Sequence, residues 1–151
     1  MARRGRRSFE QMRHLQALTV ALSAARSTGP VAEAVLGELA EALPADATTV
    51  VIGSLVRSAG DAGGPLLQRL AEQAIRERRS LLVDDLAGGV EGGVVSALAA
   101  PLVADQRVVG AIVVASRRAA RFDRDDQRLL EVVGHLAGLA AANVVALDVA
   151  A

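Results

Sequence analysis

PLVADQRVVGAIVVAS, residues 101–116, is two aliphatic runs around a polar tip, and an arginine-rich stretch, RRAARFDRDDQRLLE, follows it directly. The two runs predict a β-hairpin that turns at Ala104, Asp105 and Gln106 and whose first strand begins upstream in VVSALAA. Beyond the hairpin, Asp123 stands where a helix N-cap belongs. Asp125 and Asp126 place negative charge in the first turn, where the helix dipole favours it. Leu129, Val133, Leu136, Ala140 and Val144 then recur with helical period, predicting a long last helix. Pro101 and Gly110 are expected to shape the strands, and Phe122 to plug the core beneath the helix start.

Working outward to the N-terminus, MARRGRR has four Arg in seven residues and no apolar periodicity, which predicts a disordered tail over residues 1–7. Ser8 with Gln11 reads as a capping box. Leu15, Leu18, Leu22 and Ala25 follow at alternating spacings of three and four, a narrow helical seam. STGP breaks it, and Pro30 suits the first turn of a second helix. Val31, Val35, Leu36, Leu39 and Leu43 form the apolar face of that helix, and Pro44 ends it. Residues 48–56 read as a first strand, or as a first strand continuing into a short second one, and SAGDAGG as a loop.

A third helix over residues 65–79 turns Leu66, Leu67, Leu70, Ala74 and Ile75 inward and Arg69, Glu72, Arg76 and Glu77 to water. SLLVDDL is a short strand with an acidic end, and AGGVEGG a flexible loop. The order helix, helix, strand, helix, strand, hairpin, helix predicts an antiparallel α+β domain over residues 8–149.

Composition removes several chemistries. The 151 residues contain no cysteine, so disulfides, thiolate catalysis and Cys-ligated zinc are excluded. The core must be built from Ala, Val and Leu, because there are two Phe and neither Tyr nor Trp. Net charge is zero, which gives no general attraction to nucleic acid or to an anionic membrane. All 17 basic residues are Arg, which with abundant Ala, Gly and Val suggests a GC-rich bacterial genome. No secretory signal is visible, so the expected location is the cytoplasm. Residues 132–147 are the most membrane-like stretch, but they are short, contain His and Asn, and read as a helix buried on two sides.

The ordered set Ala100-Pro101-Leu102, Ala104-Asp105-Gln106-Arg107, Val109-Gly110-Ala111-Ile112, Arg117-Arg118, Phe122 and Asp123 to Asp126 resembles the GAF domain family. LLVDDL resembles that family's strand and aspartate before the pocket loop. The resemblance covers most of the chain. It implies a GAF/PAS-like antiparallel sheet flanked by helices, with the N- and C-terminal helices packed together on one face. Family members include sensors of cyclic nucleotides, haem, bilins and small metabolites, and a cysteine-dependent free methionine sulfoxide reductase.

No cofactor is expected here. Bilin attachment and the reductase chemistry need the missing cysteine. The cyclic-nucleotide motif keeps its Phe and Asp at Phe122 and Asp126 but departs from the pattern at Ser116, Arg117 and Gln127. His14 and His135, the candidate haem ligands, sit on the terminal helices, and no two His lie at metal-ligand spacing. With no nucleophile–base pair and no metal cluster in the pattern, the chain is expected not to be an enzyme.

The leading expectation is a regulatory or interaction module that acts as a homodimer and signals to a partner protein. Its interface is expected at Leu15, Leu18 and Leu22 of the first helix and at Leu130, Gly134, Ala137, Gly138 and Ala141 of the last. The two glycines, four residues apart, would let helices approach closely. One alternative is a sensor holding a small ligand near Leu70, Val83, Asp84, Asp85, Leu86, Ser96 and Leu98. The other is nucleic-acid or acidic-partner binding by the basic tail, since residues 1–14 carry five Arg against one Glu.

Overall fold

The computed structural model describes residues 2–60, 64–86 and 93–150, and the side chains of residues 10–144 within those segments. Nine regular elements follow in order among them: α1 (Ala2–Ser23), α2 (Thr28–Ala42), β1 (Ala47–Ile52), β2 (Leu55–Gly60), α3 (Gly64–Glu77), β3 (Leu81–Val83), β4 (Ser96–Ala104), β5 (Arg107–Ser116) and α4 (Arg124–Ala150). The five strands form one antiparallel sheet in the order β2-β1-β5-β4-β3.

The opening stretch builds the centre of that sheet. β4 and β5 pair from Ser96 opposite Ser116 to Ala104 opposite Arg107. Asp105 turns the chain with φ at 56°, a left-handed conformation that Asp tolerates better than most residues. The register shifts between Leu102 and Val103, so Val109 is the extra residue of a β-bulge. Its carbonyl accepts the Gly53 N–H at 3.2 Å, tying the β1–β2 turn to the bulge. Gly110 sits beside this point because a Cβ there would overlap the carbonyl oxygen of Val51 on β1.

Side chains alternate across the sheet and feed two cores. Leu98, Ala100, Leu102, Ile112, Val114, Val50 and Ile52 face α1, α2 and α4, together with buried Phe122. Ala97, Ala99, Ala111, Val113 and Ala115 face α3, which closes over them with Leu67, Leu70, Ala71 and Ala74. Small residues on that second face let a single helix lie close and cover it.

α4 lies on β4. Val133, Ala137 and Ala141 are buried toward the first core, and Gly134 and Gly138 let the backbones meet. A Cβ at Gly134 would overlap the Pro101 carbonyl oxygen, and one at Gly138 the backbone of Val103. The helix starts as the sequence predicts. The Asp126 N–H donates to Asp123 Oδ1 at 2.9 Å, and the Asp123 N–H donates to Asp126 Oδ2 at 2.9 Å, a reciprocal capping pair.

Two local expectations are corrected. α1 begins at Ala2, so residues 2–7 are the first turns of the helix rather than a disordered tail, and Ser8 lies inside it. Arginine is a strong helix former, and a polar start extends a helix whose apolar seam begins later. Of the two readings of residues 48–56 the structure takes the second, a strand followed by another, because Gly53, with φ at 59°, opens a tight turn. Ser58 to Gly60, expected in a loop, finish β2, an edge strand exposed from Val56 onward that lacks the apolar alternation of a half-buried one.

Candidate functional site

The residues singled out for helix pairing are used within the chain. Leu18 and Leu22 on α1 and Leu130, Ala137 and Ala141 on α4 are all buried in the first core, and Leu15 packs against it. Gly134 and Gly138 face β4. This interface is therefore corrected: the sheet and the neighbouring helices already cover it. The helices touch one another along it, as a narrow seam requires, but they are α1, α2 and α4 of one chain.

What α4 leaves outside is a different row. Val132, Leu136, Leu139 and Asn143 stand at spacings of four, three and four, with Leu139 53% and Val132 42% exposed. Leu136 and Leu139 line an open groove of about 370 Å³ together with Thr19, Ser23 and Ala25 at the end of α1. On α1, Val20 is 69% and Met12 60% exposed.

The candidate ligand residues do not converge. Leu70 is buried in the α3 core, and Leu86 packs against it. Leu98 points to the opposite face of the sheet, among the terminal helices, so its place in a pocket under α3 is corrected by the strand's alternation. Ser96 is fully buried, and its hydroxyl donates to the Arg118 carbonyl at 2.6 Å, pinning the connection into α4. Asp84 and Asp85 are exposed, and the Asp84 carbonyl accepts the Ala120 N–H at 2.8 Å. The loop expected to cover a ligand, residues 87–92, lies outside the described residues.

Val83 and Asp84 do line a recess of about 420 Å³ beside edge strand β3, with Gln73, Arg79, Ser80 and Gln127. Most of its polar groups are engaged. Gln73 donates to Glu77 at 2.7 Å, Arg79 donates to Glu77 at 2.7 and 3.0 Å, Gln127 donates to Ser80, and Ser80 donates to Glu131. The hydrogen bond from Gln73, then that from Arg79, holds the Glu77 carboxyl below its usual pKa.

Phe122 and Asp126, the remnant of the nucleotide motif, and Arg117, where it departs, have structural partners. The Arg117 N–H donates to Asp46 Oδ2 at 2.7 Å, and the Arg121 guanidinium lies over the Phe122 ring at 5.4 Å. Asp126, 4% exposed, closes the α4 cap.

One cluster was invisible to sequence spacing. His14 Nδ1 lies 2.7 Å from Glu38 Oε1, joining α1 to α2, and Glu41 follows one turn later on α2. Ligand atoms of His14, Glu38 and Glu41 lie within 4.8 Å of one another. They border a recess of about 400 Å³ shared with Glu10, Arg13 and Ala17. His135 is exposed on α4.

A five-stranded antiparallel sheet with three helices on one face and one on the other defines a GAF-type α+β domain. The chain belongs to the GAF domain family, a family of regulatory and signalling modules, and the family model matches residues 13–141. Solved structures bear the fold out. The GAF domain of a phosphoenolpyruvate-protein phosphotransferase from Coxiella burnetii is similar with a TM-score of 0.77 at 15% identity, over 93% of this chain and 98% of that one. The GAF-B domain of DevS from Mycobacterium smegmatis is similar with a TM-score of 0.67 at 23% identity, over 83% of this chain and 100% of that one. No curated protein matches the chain in sequence.

A third neighbour overturns an expectation. Free methionine-R-sulfoxide reductase from Neisseria meningitidis, solved with its substrate, has a TM-score of 0.70 at 15% identity, over 86% of this chain and 87% of that one. The same fold therefore serves an enzyme, and the expectation that this chain is not one is corrected: the fold gives no ground for it. Among the described residues, no helix is long and apolar enough to cross a membrane.

Proposed function

We propose that this GAF domain is a regulatory module of a bacterial cytoplasm that works as a homodimer, and that the outward faces of α1 and α4 form the interface. The observation that carries the reading is the row Val132, Leu136, Leu139 and Asn143. Its spacing is that of a helix-pairing seam, and its apolar members stay partly in water within a single chain. The groove between Leu136, Leu139 and the end of α1 supplies a hole for a knob from a second copy. A two-fold axis along α4 would bring each Leu139 onto the partner's row, and both terminal helices would then carry a signal to a partner protein.

Light scattering on the purified chain at about 50 µM tests this, since association follows mass action. The expected result is a dimer that Leu139→Glu converts to a folded monomer, because Leu139 contributes little to the core of its own chain. Arg76→Glu, on the far side of the sheet, should leave the dimer intact. A wild-type monomer at that concentration refutes the reading.

A further inference from the structure

The recess between α1 and α2 has no part in that dimer. We propose that His14, Glu38 and Glu41 form a binding site for a first-row divalent cation of the zinc type, bridging the two helices. The three residues offer one imidazole nitrogen and two carboxylates, with ligand atoms within 4.8 Å of one another. A tetrahedral zinc ion with bonds of about 2.0 Å holds its ligand atoms roughly 3.3 Å apart. Glu41 is exposed, so a change of its side-chain rotamer is the movement the site asks of it.

The other two ligands are nearly in place and need only part from 2.7 Å to roughly 3.3 Å. His14 and Glu38 are 25% and 21% exposed and are held together at 2.7 Å, so binding orders little that is not ordered beforehand. A cation entering between them replaces that hydrogen bond with two coordinate bonds: the proton between the two groups leaves to solvent, the imidazole keeps its one proton on Nε2, and the Nδ1 lone pair and the Glu38 carboxylate both face the ion. Helical spacing does the rest. Glu38 and Glu41 are three apart on α2, and Glu10 and His14 four apart on α1, so each helix presents two groups to the same recess.

Charge favours the same occupant. The recess gathers three carboxylates, Glu10, Glu38 and Glu41, against one guanidinium, Arg13. The excess of two negative charges matches one divalent cation. An imidazole ligand selects against magnesium and calcium, which prefer an all-oxygen shell, and favours zinc and its neighbours in the first row. The recess is open to solvent, so water completes the coordination. A bound ion would fasten α1, which also bears part of the proposed dimer seam, to α2.

The test uses the full, untagged chain after treatment with a chelator. Calorimetric titration with zinc chloride should give one ion per chain, and about 100 µM zinc should raise the unfolding midpoint, whereas magnesium chloride should not. Glu41→Gln and His14→Gln should each weaken binding at least about tenfold, while His135→Gln leaves it unchanged. Glu41→Gln alters only an exposed side chain, so its effect does not depend on how well the His14 variant folds. The inference is overturned by the absence of both heat and midpoint shift with zinc. Binding that survives Glu41→Gln and His14→Gln, or that is lost in His135→Gln, overturns it equally.

Discussion

Alanine at Gly138 and alanine at Gly37 are the same substitution in two helix interiors, and the structure gives them opposite signs. In a helix interior, alanine is worth about 0.5–1 kcal/mol more than glycine, because glycine loses more backbone freedom on folding. Gly37 lies on the exposed side of α2, and an added Cβ there meets nothing within 4 Å. Gly37→Ala should therefore keep the whole gain and raise the midpoint by about 1–4 °C. At Gly138 the Cβ would overlap the N, C and O atoms of Val103. These are backbone atoms of β4, held at Val103 by its pairing with β5, so no rotamer relieves the overlap and α4 must lift from the sheet. Overpacking of this kind costs about 1–3 kcal/mol. After the propensity gain is subtracted, a net loss of about 0–2.5 kcal/mol remains, centred a little above 1 kcal/mol, and at that centre the midpoint should fall by about 2–5 °C.

Thermal and urea unfolding followed by circular dichroism would read both variants against the parent. The Gly138→Ala loss should be the same over about a twentyfold range of protein concentration, because the contact lies within one chain. A Gly138→Ala variant as stable as Gly37→Ala would mean that α4 does not rest on β4. A loss that grows on dilution would place the glycines between two chains and refute the packing argument.

Leu98→Ala should lower stability by about 2–5 kcal/mol in urea, since Leu98 is fully buried on the helix side of the sheet; a loss under about 1 kcal/mol would show that it lines an open cavity instead. Asp123→Ala should cost about 1 kcal/mol by removing the acceptor of the Asp126 N–H, and Asp123→Asn should restore most of it. An alanine variant as stable as the parent would mean that the capping pair adds nothing.

Most of the fold was legible because several of its parts are dictated locally. The hairpin around Asp105 needs only two aliphatic runs and a residue tolerant of positive φ, and both are written in residues 101–116. The start of α4 needs only Asp123 and Asp126 three apart. The end of β2 was hidden because an edge strand exposed from Val56 onward has no alternation to read, and Gly53-Ser54 sits between aliphatic residues that look continuous. The first turns of α1 were hidden for a related reason: burial leaves no periodic mark on a helix segment made of arginines.

The sites were less legible, and α4 shows why. Apolar residues occupy most of its circumference, so periodicity fits several stripes and says nothing of which one meets the sheet. The glycines decide it, and only with the sheet in place: four-residue spacing of small residues suits a partner helix and a β-strand equally, but β4 is the surface that comes within reach of Gly134 and Gly138. Once that face is fixed, rotation around the helix forces Val132, Leu136, Leu139 and Asn143 outward, a row that was in the sequence from the start. The His14 cluster has the opposite history. Its residues are ordinary in sequence, 24 positions apart, and become a constellation only because the α1 and α2 seams set their register. A search by spacing finds ligands that share one element, whereas a site shared between two helices exists only after they pack.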